Sequence, residues 1–388
     1  MPHQHARHAL SHLKKLGSFW PVVGVLGLRQ CGKTTLLCQQ FKIPHQVSLD
    51  DEEVREDALA SAKNLLSKLE TPVVIDEVQK APNLFDAIKL RVDRDKRPGT
   101  YFLTGSTSFS ARLGIRESLT GRIGLMRLFP FTMAEAHEKE WQPRRAALLH
   151  SEKARFSTEE VIKSLAGGGL PVPAFIRDSK QRSSYFQNWL ETAMIRDVSR
   201  VFGKNYDPDV AWSLLRQMAV LMRNGDLPVL RAFRQGSRKV RRYLAAMEDV
   251  FLLTKVPIHE EGVGDDAWVL SDSGLAKYLM GSEFGEGATL SLARAFLLKE
   301  IQAQHEYAGT PLRPVYYKST HGSPVDLIHE RTAIKITTAT GATLSYEERA
   351  LAGAMKTLRL KHGILAAPTD RPGPLSKSIS VVPWGHWS

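Results

Sequence analysis

One stretch near the N-terminus has the residue types and spacing of a phosphate-binding loop. Residues 27–34 read Gly-Leu-Arg-Gln-Cys-Gly-Lys-Thr and match G-x-x-x-x-G-K-[ST] at every required position. An apolar run, Val22–Leu26, precedes the loop, and a helix-prone run, Leu36–Gln40, follows it. A buried strand that turns through glycines into a helix N-terminus presents backbone N–H groups to phosphate oxygens. We therefore predict nucleotide binding here, a chance glycine turn being the disfavoured alternative.

An acidic pair follows a second apolar run. Val73–Ile75 leads directly into Asp76 and Glu77. Such a strand end can place one carboxylate near Mg²⁺ and a second carboxylate where it polarises a water beside the terminal phosphate. Two acids after an apolar strand also describe many ordinary strand ends. The complete glycine loop upstream favours the catalytic interpretation.

Two more motifs lie further along the same part of the chain. The apolar run Tyr101–Leu103 ends in Thr104 and Ser106, whose hydroxyls could bond the attacking water or the γ-phosphate. The alternative is an ordinary strand-to-turn exit. Arg122 follows Gly121 in a turn before another apolar run, where a surface charge would be the default interpretation without the other motifs.

The elements that must position these residues alternate between short apolar runs and helical periodicity. The strand candidates are Val22–Leu26, Gln46–Leu49, Val73–Ile75, Thr100–Leu103 and Ile123–Leu128. Helical segments lie between them, as at Asp57–Glu70 and Ala81–Val92. The alternation predicts an α/β fold with a parallel sheet flanked by helices. Such sheets bind ligands at the carboxyl ends of their strands, which is where the glycine loop falls.

The order of these motifs resembles the AAA-type P-loop ATPases. More narrowly, it resembles a prokaryotic group related to the archaeal ATPases and the STAND signal-transduction NTPases. The shared motifs are Gly27–Thr34, Asp76–Gln79, Thr104–Ser106 and Leu119–Arg122, so the resemblance covers residues 20–135. It implies ATP and Mg²⁺ as cofactors.

The resemblance also implies roles for single residues. Lys33 would contact the β- and γ-phosphates, and Thr34 and Asp76 would hold Mg²⁺ directly or through water. Glu77 would activate the hydrolytic water and Ser106 would sense the γ-phosphate. Arg122 would be a finger offered to a neighbouring subunit, which implies a homo-oligomeric ring with a hexamer as one candidate. The expected nucleotide contacts are Gly27, Gln30, Cys31, Gly32, Lys33, Thr34 and Thr35.

Composition restricts the expected partners and cellular location of the protein. The chain has 388 residues with 53 basic and 41 acidic side chains, a net charge of +12, which favours polyanion partners such as DNA without requiring them. No run approaches the roughly 18 apolar residues of a membrane span, and the N-terminus lacks the apolar core of a signal peptide. With two cysteines, a cytoplasmic protein with no membrane partner is expected. Cys31 could make the loop redox-sensitive, although a small filler is the favoured interpretation.

The length predicts two or three domains. We place them at residues 1–145, 146–285 and 286–388. The second begins with a turn-rich segment, Gly167–Pro173, and continues with the helical run Tyr185–Val198, which together resemble the domain of unknown function that follows the ATPase module in the same family. Within that run Glu191, Arg196 and Asp197 could link domains or contact nucleotide, but surface helix pairs are the favoured interpretation.

The second domain also contains a basic segment. Arg231–Arg242 holds several basic residues and no acidic one. On a helical wheel one face collects Val240, Tyr243, Leu244 and Met247, and the basic side chains point away from it. With a wing strand from Val250–Val256, this predicts a winged-helix-like unit. The candidate DNA contacts are Arg234, Arg238, Lys239, Arg241 and Arg242, and a solvated basic helix used between subunits is the alternative.

The third domain resembles the restriction-endonuclease-like unit that ends many members of the family. We expect a helix at Leu292–Ile301, strands at Val315–Tyr317, Val325–Ile328 and Ala333–Ile336, a helix near Tyr346–Leu358 and a strand at Gly363–Ala366. In the family pattern two carboxylates and a Glu-x-Lys form the active site. Here Glu300 and Asp326 are in register, but Lys335 stands where the acid belongs and Thr337 where the lysine belongs. The exchange should repel Mg²⁺, so we expect no nuclease activity.

The leading hypothesis is therefore a Mg²⁺-dependent ATPase whose hydrolysis drives an oligomer or partner switch on DNA. The alternative is a low-turnover ATP-binding scaffold or regulatory switch that acts through protein association. An active nuclease rests on family analogy alone.

Overall fold

The computed structural model describes residues 5–108, 119–142, 154–281, 285–320, 322 and 324–387. In the first part of the described chain five parallel strands form one sheet: β1 (Val22–Leu26), β2 (His45–Ser48), β3 (Val73–Asp76), β4 (Tyr101–Gly105) and β5 (Ile123–Arg127). Their order across the sheet is β2-β3-β4-β1-β5. The predicted parallel α/β fold is confirmed. Helices cover the sheet, which is why its central strands β1, β3 and β4 read as nearly continuous apolar runs.

Six helical segments of the described chain accompany this sheet. They are α1 (Leu10–Phe19), α2 (α-helical Lys33–Thr35 and π-helical Leu36–Gln40), α3 (Glu52–Ala60), α4 (Ala62–Lys68), α5 (Asn83–Arg94) and α6 (Met133–Ala136). The helix expected over Asp57–Glu70 is split, because Ser61 is extended and its hydroxyl caps α4 by accepting from the Asn64 amide. The local capping signal therefore overrides a continuous helical pattern.

The middle of the chain is mostly helical. Its elements are α7 (Thr158–Gly167), α8 (Ser179–Thr192, continuing as π-helical Ala193–Val198), α9 (Ser199–Phe202), α10 (Pro208–Arg223), α11 (Ser237–Asp249), β6 (Leu253–Val256), β7 (Ala267–Leu270) and α12 (Ser273–Met280). The expected apolar face of α11 is buried: Val240, Tyr243, Leu244 and Met247 are all inaccessible. β6 and β7 pair antiparallel directly after α11. A helix and a hairpin thus follow each other, and the winged-helix assignment stays a prediction.

The C-terminal part builds a second five-stranded sheet from described residues. Its elements are α13 (Glu286–Tyr307), β8 (Leu327–His329), β9 (Thr332–Ile336), α14 (Leu344–Leu358), β10 (His362–Ala367), β11 (Gly373–Pro374) and β12 (Ile379–Pro383), in the strand order β11-β12-β10-β9-β8. The strand expected at Val315–Tyr317 is wrong. Tyr316 makes one bridge to Ile258 and Tyr317 one bridge to Val325, so this segment ties the sheet to the middle of the chain.

Helix α13 lies at the centre of the molecule. Fifteen of its 22 residues are buried, including Leu292, Phe296 and Leu297, because it packs against α1 and β5 as well as α10 and α12. A helix surrounded on all sides carries no polar face. The domain boundary at residue 286 therefore stays a prediction. No helix of the described ranges is long and apolar enough to cross a membrane.

Candidate nucleotide-binding site

The glycines of the loop after β1 are required by its main-chain path. Gly27 has φ 155°, and a Cβ there would lie 2.2 Å from the Leu128 carbonyl oxygen. Gly32, with φ 98°, precedes the first residue of α2 in the left-handed region that favours glycine. Cys31 is fully buried and its Sγ donates to the Leu128 carbonyl over 3.4 Å. The thiol packs under the loop, as the filler interpretation expects.

Lys33 turns back onto the loop. Its Nζ donates to the carbonyls of Gly27 and Leu28, each at 3.0 Å, and its side chain is buried. The loop carbonyls therefore hold the ammonium beside the backbone that would cradle phosphate. Gly32, Lys33, Thr34 and Thr35 all line one cavity of about 330 Å³.

The residues predicted to hold the metal meet at the end of β3. The Thr34 hydroxyl donates to Asp76 Oδ1 over 2.8 Å, and the Thr104 hydroxyl donates to the same oxygen. Mg²⁺ in nucleotide sites keeps several waters and takes one or two carboxylates plus phosphate oxygens. A hydroxyl and a carboxylate facing the loop fit that donor set. In the described residues no group of three or more His, Cys, Asp or Glu could hold a metal by itself.

Glu77 lines the cavity but its carboxylate is already engaged. Oε2 accepts from the Ser106 hydroxyl over 3.0 Å and from the side-chain amide of Gln79. The Glu77 backbone is left-handed, with φ 55°, and its amide donates to the Thr104 hydroxyl over 3.3 Å. Strained backbone of this kind is concentrated at functional sites. Ser106 is buried behind Glu77. Gln79 lies in the predicted Asp76–Gln79 motif, but no role of its own was predicted for it.

The cavity has walls that the sequence motifs did not reveal. Beyond the motif residues, its lining includes His5, Arg7, Phe131, Pro171 and Val172. They come from the N-terminal segment, from the chain after β5 and from the middle of the chain. Among these five, only Pro171 and Val172 had a sequence signal, the run Gly167–Pro173, which was interpreted as a boundary.

Arg7 fixes the N-terminal segment over the loop. It is buried, and it donates to Glu135 Oε1 over 3.1 Å, to the Cys31 carbonyl over 2.8 Å and to the Phe129 carbonyl over 2.6 Å. Burial alone would lower the pKa of Arg7, but the charge of Glu135 outweighs it and the pKa is raised. Arg7 is therefore a permanent cation at one wall of the cavity.

The glycine run before Pro171 positions the opposite wall. A Cβ on Gly168 would lie 2.2 Å from Asp272 Oδ1, and a Cβ on Gly169 would lie 2.3 Å from the Phe131 carbonyl oxygen. The buried Asp272 accepts from the Gly169 amide over 2.6 Å. This close packing brings Pro171 to the cavity.

Arg122 lies away from the cavity. It precedes β5, whose Ile123 pairs with Val22 at the start of β1, whereas the loop follows the other end of β1, a strand length of about 15 Å away. Its guanidinium makes a two-point ion pair with Asp93, with Nε–Oδ1 2.5 Å and Nη2–Oδ2 3.0 Å. This hydrogen bonding lowers the pKa of Asp93. The finger role thus stays a prediction that concerns a second subunit.

The candidate nucleic-acid residues are on the surface. Arg234, Arg238, Lys239, Arg241 and Arg242 are all exposed. Arg242 differs from the others because it donates to the carbonyls of Phe202 and Lys204, at 2.9 and 3.4 Å, and stacks 4.1 Å above the Phe202 ring. It therefore fixes α11 to the end of α9 as well as contributing charge.

The nuclease-like residues have partners of their own. Asp326 Oδ1 accepts from Arg294 Nε over 2.6 Å, and its Oδ2 accepts from the Ile336 amide over 2.7 Å. Glu300 accepts from the Met133 amide over 3.0 Å and pairs with Lys299 at 2.7 Å. Both carboxylates thus have cationic or amide partners.

Lys335 and Thr337 occupy the two positions that depart from the family pattern. The Lys335 ammonium pairs with Glu347 at 3.3 Å and donates to the Pro324 carbonyl over 3.0 Å. The Thr337 hydroxyl accepts from the Ala339 amide over 3.0 Å. These bonds stabilise the end of β9.

Sequence comparison identifies the first part of the chain. A family model described as an AAA domain matches residues 20–137. Two uncharacterized proteins, from Mycobacterium tuberculosis and Mycobacterium bovis, are each 24% identical over 97% of this chain and 83% of their own length. With the sheet order and loop geometry above, residues 20–137 have the P-loop fold of AAA type and resemble the AAA-type ATPases.

Three solved structures have a partial likeness to this chain. They are a Walker-type ATPase of Pyrococcus abyssi (TM-score 0.43, 14% identity, 70% of this chain and 95% of that chain), the Aeropyrum pernix ORC1 protein in complex with DNA (0.30, 13%, 70% and 91%) and Thermotoga maritima RuvB T158V (0.29, 20%, 64% and 86%). TM-scores below 0.5 do not establish a common overall fold.

Proposed function

We propose that this chain binds ATP with Mg²⁺, hydrolyses it, and uses the cycle to switch its assembly or its partner on DNA. One observation carries the proposal. Lys33 and Thr34 at the start of α2 and Asp76 and Glu77 at the end of β3 line a single cavity. No other chemistry fits a glycine loop, a hydroxyl–carboxylate pair and a second carboxylate at the carboxyl edge of one sheet as well.

The roles of the residues follow from their positions. Loop amides and Lys33 bind the phosphates, and Thr34 and Asp76 would hold Mg²⁺, which when bound neutralises phosphate charge. Glu77 orients and polarises the attacking water once its carboxylate turns from Ser106 and Gln79 toward the cavity. Ser106 acts on the γ-phosphate through Glu77, since the serine itself is buried.

The position of Arg122 is the reason for proposing that the chain assembles with copies of itself. Arg122 is too far from its own loop to stabilise charge there, so it acts on the site of a second copy of the chain. A homo-oligomer, with a ring as the expected form, follows from an interface that passes an arginine from each subunit to the next.

DNA is the proposed polyanion partner. The chain carries a net charge of +12, and Arg238, Lys239 and Arg241 project from α11 opposite its buried face. Phosphate contacts from such a face would provide affinity that depends strongly on salt. The C-terminal unit does not cleave DNA, because Lys335 and Thr337 stand in place of the acid and the lysine of the family's nuclease pattern.

A second candidate function is a low-turnover ATP-binding switch. The contacts of Glu77 favour it, since a carboxylate held by Ser106 and Gln79 is less available to activate a water. In this case nucleotide binding, rather than hydrolysis, would drive protein association.

Measuring ATP binding and steady-state turnover on the full chain tests both functions. Lys33→Ala should weaken Mg-ATP binding at least ~10-fold and abolish turnover, because the phosphates lose their buried cation. Lys63→Ala, at an exposed position of α4, is the matched control and should change neither. Binding that survives Lys33→Ala contradicts the site. Wild-type turnover near zero at all protein concentrations, with or without duplex DNA, favours the switch.

A further inference from the structure

One loop residue is held by a helix from the middle of the chain. Arg29 lines the nucleotide cavity, and its Nη1 lies 3.4 Å from both carboxylate oxygens of Asp197. The Asp197 side chain is 5% exposed, and Arg29 is the one cation of the described residues within ion-pair distance of it. A buried carboxylate with a single partner at 3.4 Å is poorly compensated for the loss of its hydration. This pair is therefore poised to change.

The helix around Asp197 is irregular at this point. Ala193–Val198 is π-helical between the α-helical segments Ser179–Thr192 and Ser199–Phe202. Such π-helical turns recur at functional sites. Asp197 thus lies in the turn where this helix departs from α-helical hydrogen bonding.

The same helix contacts two more residues that line the nucleotide cavity. The Tyr185 hydroxyl donates to Gln30 Oε1 over 2.7 Å, and Arg196 Nη2 lies 2.7 Å from Asp50 Oδ1. Burial raises the pKa of Tyr185 to about 12, so it stays a donor at neutral pH. The expectation that Arg196 and Asp197 form surface pairs within their own helix is wrong. Both reach across to the ATPase domain.

We propose that Arg29 is a phosphate-responsive cation that exchanges Asp197 for the terminal phosphate of a bound nucleotide. A guanidinium prefers the oxygens of a phosphate, which it can contact at two points, to a single distant carboxylate. When Arg29 turns toward the cavity, Asp197 loses its counter-ion in a buried place, and the π-helical segment must move. The inference rests on the proposed function, since it requires nucleotide in this cavity.

The C-terminal end of this helical segment, at Phe202, connects the exchange to the basic helix α11. Phe202, the last residue of α9, accepts from Arg242 over 2.9 Å and stacks on Tyr243 with ring centroids 4.2 Å apart. Both partners belong to the basic helix α11. A shift of the π-helical segment therefore reaches the surface proposed to contact DNA through packed side chains.

Calorimetric binding of ATPγS and ADP to the full chain tests the exchange. Asp197→Asn removes the competitor of Arg29 and should tighten ATPγS binding ~5–10-fold, the lower range of typical coupling between sites, with ADP changed far less. Arg29→Gln should weaken ATPγS binding ~10-fold more than ADP binding. The double variant should behave like Arg29→Gln alone. Glu191→Gln removes an exposed charge from the same helix and is the matched control.

Each outcome decides the matter. If Asp197→Asn and Glu191→Gln show the same ratio of ATPγS affinity to ADP affinity, the inference is overturned while the proposed function stands. Absence of nucleotide binding by the wild type overturns the inference together with the proposed function. If Asp197→Asn melts too low to assay, equal losses for ATPγS and ADP in Arg29→Gln still contradict the exchange. Hydrogen exchange that increases over residues 193–202 with ATPγS, but not with ADP, supports it.

Discussion

Ser106 donates its hydroxyl hydrogen to Glu77 Oε2 over 3.0 Å, so the predicted phosphate sensor contacts the predicted water-activating carboxylate. The contact is buried on the Ser106 side and open to the nucleotide cavity on the Glu77 side. The residues predicted to sense phosphate and to activate water therefore form one hydrogen-bonded unit, which also includes Gln79.

Glu77→Gln should lower steady-state ATP turnover by about 10²–10⁴, the usual contribution of a general base, with ATP affinity retained. Ser106→Ala should lower turnover by a smaller factor, about 10, because the carboxylate loses one of the groups that orient it. Coupled-enzyme turnover and calorimetric ATP binding measure the two effects separately. Glu53→Gln, on the exposed side of α3, is the control. Equal losses of affinity and turnover would contradict the assignment.

Arg122→Ala should lower turnover by ~10³ or more if the arginine stabilises charge in a neighbouring subunit. Mixing Arg122→Ala with Glu77→Gln subunits should restore activity, because one subunit then contributes an intact site and its neighbour an intact arginine. Asp93→Asn also breaks the Arg122–Asp93 pair but keeps the cation, so it should retain turnover. A mixture no more active than its components would mean that Arg122 acts within its own subunit or only in folding.

Replacing Arg238, Lys239 and Arg241 together by alanine should weaken binding to duplex DNA uniformly across sequences. If each contacts one phosphate, the slope of log affinity against log salt should fall by up to about 2.7. Fluorescence anisotropy over a salt series measures it. Arg242→Ala is a different case, since it should also lower the free energy of unfolding by about 1 kcal/mol through its lost carbonyl bonds. DNA affinity untouched by the triple variant would favour the subunit-contact alternative.

The full chain with Mg²⁺ or Mn²⁺ should not cleave DNA. Asp326→Asn should instead lower the free energy of unfolding by ~3–5 kcal/mol, since it leaves Arg294 buried without its charged partner. Urea denaturation measures the change, with the exposed Glu330→Gln as control. Metal-dependent cleavage of a supercoiled plasmid that disappears in Asp326→Ala would show a working nuclease.

Local signals predicted the ATPase region well. Gly27 and Gly32 are dictated by main-chain conformation and by the approach of Leu128, and Asp76 and Glu77 by their position after a buried strand. The five strands were each found within two residues of their expected bounds. The buried face of α11 followed from helical spacing alone. Each of these depends on a few neighbouring residues.

Long-range packing decided what surrounds the site. Arg7, Pro171 and Asp197 reach the nucleotide loop from segments that no local pattern connects to it. In the tertiary structure Ser106 also lies behind Glu77, and Arg242 packs on the Phe202 ring.

The sequence by itself determined which chemistry the loop can carry, because spacing and backbone conformation are local properties. Only the tertiary structure decided which side chains close the cavity and which charge holds Arg29. Partners of buried charges are selected by the free energy of packing the whole chain, and that selection leaves no periodic trace in the sequence.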